Sequence, residues 1–221
     1  MKIQIIIVAG GKGTRMNSDI PKQFLSLDGK PILMHTIEKL ASFSHHLFLV
    51  LPKEDIELWQ TLVEKHKFNL KPTLIEGGKE RFFSVRNALE QCSNEGIILI
   101  HDGVRPFVNH KTIQNVIDKT QEKGSAIPVI DIFDSMRLIT RTESMPVNRE
   151  KYKLVQTPQG FEAELIMESY QQNFDPQFTD DASVYESAGY SVSLTEGNKE
   201  NIKITTPEDL RFAPSLKRND S

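Results

Sequence analysis

One cysteine, Cys92, stands among 221 residues, so no disulfide can close within the chain, and a reducing compartment suits it. No stretch of about 18 apolar residues is present to cross a bilayer, and the run Ile5 to Ala9 is too short for a signal-peptide core and ends in glycines. Neither sign of charge dominates. Lys and Arg total 27 against 30 Asp and Glu, a formal net charge of −3, so no global basic field points to nucleic acid and any anion site must come from local placement of charge. Internal repeats and low-complexity segments are missing too. These absences predict a soluble cytoplasmic protein with neither nucleic acid nor membrane as partner, and the length predicts one core with a small appendage.

What is present begins at the third residue. Ile3 to Val8 is a β-branched run that halts at Ala9, Gly10, Gly11, Lys12 and Gly13, then turns basic through Arg15 and Lys22. Glycines let backbone N–H groups close on an anion without strain, so this reads as a strand feeding a phosphate loop for a polyphosphate. An ordinary strand-to-helix turn is the plainer reading, and Arg15, Pro21 and Lys22 in train weigh against it. The P-loop pattern fails because Lys12 is followed by Gly13, and the dinucleotide fingerprint fails because Met16 stands where its third glycine belongs.

Strands and helices then alternate. Pro31 opens a helix whose apolar face carries Ile32, Leu33, Ile37 and Leu40, with His35 packed on it; Leu47 to Leu51 is a strand; Ile56, Trp59 and Val63 mark a helix; Pro72 to Glu76 is a strand. Such alternation implies a mostly parallel, Rossmann-like α/β sheet flanked by helices, which binds ligands at the carboxyl ends of its strands. Gly77 and Gly78 follow one strand end and precede a helix with Arg81 and Ser84 near its start and Val85, Ala88, Leu89 and Cys92 at helical spacing, the last as a packing residue. The apolar run Gly96 to Ile100 then carries His101 and Asp102 to the rim, ahead of Arg105. Asp102 suits Mg²⁺, which takes one or two carboxylates and fills its other positions with water and phosphate oxygens; a turn cap is the alternative.

Asn109 caps a helix that Gly124 stops, and Ser125 to Ile130 is a strand. From 131 to 155 the pattern becomes that of a projecting β-arm, with 135–139 pairing with 152–157, and the arm is expected to pack on a second copy in a homodimer. Thr179 caps a short helix whose Asp180 and Asp181 suit the helix dipole. Residues 191–194 and 201–204 read as closing strands, and Thr206, Pro207 and Asp209 open the last helix. Glycine N–H groups, Arg15, Lys22 and Lys203, a metal carboxylate and no nucleophile–base pair together suit phosphoryl or nucleotidyl transfer. A phosphate monoester nucleophile is already ionised at pH 7 and needs no general base.

Seven motifs in order, Ala9-Gly10-Gly11-Lys12-Gly13-Thr14-Arg15-Met16, Pro21-Lys22-Gln23-Phe24, Glu76-Gly77-Gly78 with Arg81 and Ser84, His101-Asp102-Gly103-Val104-Arg105-Pro106, Thr157-Pro158-Gln159, Thr179 to Ser183 and Asn201 to Thr205, resemble the 2-C-methyl-D-erythritol 4-phosphate cytidylyltransferase family. The resemblance implies that CTP and 2-C-methyl-D-erythritol 4-phosphate give 4-diphosphocytidyl-2-C-methyl-D-erythritol and pyrophosphate, in non-mevalonate isoprenoid synthesis. It further implies that Ala9, Gly10, Gly11, Gly13, Gly78 and Ser84 hold the nucleotide, that Asp102 ligates Mg²⁺, and that Arg15 and Lys22 stabilise the transition state. Lys203, Arg105, Ser135 and Arg149 would place the sugar phosphate, Arg149 by reaching into the partner subunit's site; Glu200 is a candidate for a second acid near the metal. Most of these motifs also occur in the ribitol-5-phosphate cytidylyltransferases, which leaves that substrate as an alternative, and a nucleotide-binding regulator without catalysis as another. Gly103 and Val104 depart from the family's usual Ala-Ala, and Lys79 from its frequent acid.

Overall fold

A computed structural model describes residues 1–10, 16 and 20–216. Five β-branched and aliphatic runs build its centre: β1 (Ile3–Val8), β4 (His46–Leu51), β5 (Thr73–Glu76), β6 (Ile97–Asp102) and β7 (Ser125–Asp131), with the two-residue strands β2 (Ser26–Leu27) and β3 (Lys30–Pro31) pairing beside them. β1 pairs in parallel with both β4 and β6, and β4 with β5, the order that alternating helices impose. β11 (Gln159–Glu162) runs antiparallel between β6 and β7, and β12 (Leu194–Glu196) pairs in parallel with β7. The expected Rossmann-like, mostly parallel sheet is therefore found, with β11 and, at its edge, β10 (Lys153–Val155) as reversed strands.

Helices cover both faces, which is why β6 is buried along its whole length. Ile5 and Ile7 pack with α1 (Ile32–Ala41), α2 (Ile56–Lys65) and α4 (His110–Lys123), whereas Ile6, between them, packs with α3 (Arg81–Leu89), α5 (Ala163–Ser169) and α6 (Asp181–Ser187). A smaller cluster of Leu27, Ile32, Val104, Phe107, Ile204 and Ala213 lies under α7 (Pro207–Leu216). Asn109 accepts a hydrogen bond from Thr112 N at 2.8 Å and Gly124 ends α4 at φ 82°, as the sequence predicts. His35 is packed, its Nε2 2.8 Å from Leu27 O, and Cys92 is partly buried with its thiol pushed up to about 12 by burial. No helix among the described residues is long and apolar enough to cross a membrane.

Four local expectations are corrected. The ribbon is a hairpin of β8 (Met136–Ile139) and β9 (Ser144–Val147), while β10 (Lys153–Val155) pairs with β7 instead of with 135–139. Closing the short turn, where Thr140 N donates to Glu143 O at 2.9 Å, costs less chain entropy than closing a loop from 139 to 152. Asp180, not Thr179, caps α6, because its side chain accepts from Ser183 N at 2.9 Å while Ser183 Oγ accepts from Asp180 N. The strand expected at 191–194 lies at 194–196, and 201–204 is not a strand: that segment is held by side-chain amides instead.

Candidate active site

The loops after β1, β4, β5 and β6 meet at one rim because their strands share one direction. Ala9 N donates to Val50 O at 3.0 Å, Gly77 N to Leu51 O at 2.8 Å and Gly103 N to Val8 O at 2.9 Å, so each loop is laced to the neighbouring strand's end. They surround a cavity of about 790 Å³ lined by Ala9, Gly10, Lys22, Gly78, Ser84, Asp102 and Lys203 among others. Gly78 has no room for a side chain: a Cβ there would lie 2.3 Å from Phe83 Cβ. Its N–H donates to Ser84 Oγ at 3.0 Å, which ties the turn to the start of α3. Lys22 sits on a 3-10 turn anchored by its neighbours: Phe24 is buried, and buried Gln23 donates to Asp55 Oδ2 at 2.9 Å.

Asp102 closes β6 opposite Val8. Its Oδ2 accepts from Arg105 Nε at 3.0 Å and lies 3.2 Å from Lys203 Nζ. Burial pushes this carboxyl up, but Lys203, Arg81 and Arg105 together outweigh burial and hold it well below the usual carboxylate range, so it is ionised at neutral pH. His101, beside it, is wholly buried, with Nδ1 3.0 Å from Thr157 Oγ1 and Nε2 3.1 Å from Arg105 O. Burial lowers it to about 4, so it is neutral and serves as a strut. Among the described residues no three His, Cys, Asp or Glu side chains are grouped to hold a metal. A cation here would take Asp102 as protein ligand and complete its shell with ligand and water oxygens, which is Mg²⁺'s habit, and the ionised Asp102 fits it.

A second cavity of about 280 Å³ adjoins the first and is lined by Arg105, Gln156, Thr157, Gln159 and Asp180; Arg81, Asp102 and Lys203 line both. Lys203 reaches this junction from a segment without a strand ladder. Gln156 Nε2 donates to Asn198 O at 2.8 Å, Asn201 Nδ2 to Thr157 O at 2.8 Å and Arg105 to Asn201 O at 2.8 Å, and Ile204 N donates to Val104 O at 3.0 Å.

The structure thus brings Ala9, Gly10, Lys22, Gly78, Ser84, Asp102 and Lys203 around one cavity and puts Arg105 at the second. Ser135 and Arg149 lie in the arm, exposed, and line neither cavity; Arg149 donates to Phe133 O. Gly11, Gly13 and Arg15 lie outside the described residues. Glu200 accepts from Asn198 Nδ2 at 3.2 Å and lines neither cavity. Sequence reasoning gives no role to Arg81, nor to the Gln156 and Asn201 amides: their partners lie far away in the chain, Arg81 and Asp181 being 100 positions apart.

The sequence model of a family described as 2-C-methyl-D-erythritol 4-phosphate cytidylyltransferase matches residues 3–218. A protein of that name from Bacteroides thetaiotaomicron is 49% identical over 218 residues, covering 98% of this chain and 100% of its own. The crystal structure of the protein of that name from Thermus thermophilus superimposes with a TM-score of 0.78 at 30% identity, covering 99% of this chain and 100% of that one. The bifunctional IspDF from Campylobacter jejuni gives a TM-score of 0.81 at 27% identity, with 96% of this chain spanning 54% of that one.

Proposed function

Because the chain belongs to the 2-C-methyl-D-erythritol 4-phosphate cytidylyltransferase family, we propose that it joins CTP to 2-C-methyl-D-erythritol 4-phosphate, releasing pyrophosphate, as a step of non-mevalonate isoprenoid synthesis. The observation that carries this reading is the pair of adjoining cavities sharing Asp102 and Lys203. The larger accepts the nucleotide, with its base edge at Gly78 and Ser84 and its phosphates toward Ala9 and Gly10; the smaller accepts the sugar phosphate beside Arg105. An oxygen of that phosphate, already ionised, attacks the α-phosphorus of CTP; the bond to pyrophosphate breaks, and pyrophosphate leaves with the electron pair. Lys22 and Arg15 take up the charge that grows on the phosphoryl oxygens and the leaving group. Mg²⁺, held by Asp102, supplies when bound further neutralisation of the triphosphate.

Homodimerisation through the hairpin is part of this reading, supported by exposed Leu138, Ile139 and Met145 on β8 and β9, and it gives exposed Arg149 a target in the partner subunit's site. The single, partly buried cysteine suits a cytoplasmic setting. Pyrophosphate release by the purified protein with CTP, Mg²⁺ and each sugar phosphate in turn tests the assignment. Turnover with 2-C-methyl-D-erythritol 4-phosphate is expected; turnover with ribitol 5-phosphate alone overturns it.

A further inference from the structure

We infer that Arg81, a residue to which the reading above gives no part, is a further catalytic group of the same reaction: it donates hydrogen bonds to the phosphoryl group where the two cavities meet. The inference rests on the proposed transfer. If the nucleotide fills one cavity and the attacking phosphate the other, the new P–O bond forms and the bond to pyrophosphate breaks at their common wall. A group on that wall stays within reach of the transferring phosphoryl group from both sides, and Arg81 is on it beside Asp102 and Lys203.

Arg81 is built to be still. Its two terminal nitrogens donate to the two carboxylate oxygens of Asp181 at 2.6 Å each, and Asp181 is wholly buried. Tyr170 Oη, also buried, donates to Asp181 Oδ1 at 2.7 Å and fixes the carboxylate from behind. A planar guanidinium carries five N–H donors, so the clamp leaves others for the cavities, where 29% of the side chain is exposed. Because the Arg81–Asp181 pair is neutral as a whole, Arg81 acts at the junction through aimed donors more than through net charge. A bridge that merely joined α3 to α6 would not require its arginine to form part of both cavity walls.

The test separates chemistry from folding. Arg81→Lys keeps the positive charge but loses the planar fork, and Asp181→Asn keeps the shape but weakens the clamp. Steady-state kinetics of each, with wild-type turnover run alongside, should show kcat lowered about 100-fold for Arg81→Lys, with KM for CTP within about threefold of wild type. Asp181→Asn should show a smaller fall of kcat in the same pattern. Variants that melt at lower temperature yet turn over within about threefold of wild type would reduce Arg81 to a structural bridge and overturn the inference. Should Arg81→Lys and Asp181→Asn both unfold at the assay temperature, Tyr170→Phe, which removes one hydrogen bond from Asp181, decides: kcat falls several-fold with KM steady, or stays unchanged and the inference fails. Absence of turnover in wild type would instead count against the proposed function.

Discussion

Lys22 reaches the larger cavity from a short turn that its neighbours hold in place: Gln23 and Phe24 are buried, and Gln23, which also lines the cavity, is tied to Asp55. If its charge serves the transition state, Lys22→Ala lowers kcat by about 100-fold or more while the dissociation constant for CTP changes little; equal losses in both, measured by kinetics beside calorimetric titration, would make it a binding group only. Gly78 poses a steric question. Alanine there must push against Phe83 Cβ at 2.3 Å, so Gly78→Ala should displace the turn that lines the cavity and raise KM for CTP at least about tenfold, with a smaller effect on kcat. An unchanged KM would remove Gly78 from the nucleotide wall. Both positions are legible in the sequence because each sits in a short, compositionally odd stretch, Lys22 directly after Pro21 and Gly78 in the glycine pair that follows β5. Arg81 is not, since its meaning comes from Asp181, 100 positions away, and from a cavity wall that only the folded chain possesses.

Among the elements, α7 shows how local chemistry makes a boundary readable. Thr206 Oγ1 accepts from Asp209 N at 3.2 Å, and Asp209 Oδ2 accepts from Thr206 N at 2.9 Å and Thr205 N at 2.8 Å, a reciprocal cap written within four residues. Thr206→Ala should cost about 1 kcal/mol in chemical denaturation. Burial raises the Asp209 carboxyl, but hydrogen bonds from Thr205 and Thr206 outweigh burial and leave it below its ordinary 3.8. The folded chain therefore gives up this proton more readily than the unfolded one. The cap's full contribution is present above about pH 3.8 and is lost as pH falls from there through the lower folded value. The stability gap between wild type and Asp209→Asn should accordingly narrow on going from pH 7 to pH 3; a gap that stays constant would show that the carboxylate's charge contributes nothing. The arm is less readable than α7. Residues 135–157 carry two plausible partners for one strand, and the choice between them depends on loop entropy and on β7 offering an edge to β10, neither of which is written in a residue pattern.

At the scale of the molecule, the parallel half of the sheet is legible because Ile5–Val8 and Ile97–Ile100 are continuous apolar runs that suit a strand covered on both faces. The reversed β11 is not, because Gln159 to Glu162 is short and polar at both ends. The hairpin leaves Leu138 51% and Ile139 70% exposed, a surface that a second copy is expected to cover. Replacing both by glutamate should give a monomer by sedimentation with little change in melting temperature, and activity should fall at least about tenfold as Arg149 loses the partner subunit's site. A dimer that persists would place the interface elsewhere.

The shared wall also bears on inhibition. A small molecule that displaces both substrates must offer negative charge to Lys203 and hydrogen-bond acceptors to Arg81, and charge is what hydrocarbon rejects. Tight occupancy of this enzyme and passage across a cell envelope therefore pull a drug candidate in opposite directions, and an acid masked as an ester until after entry is the form that reconciles them.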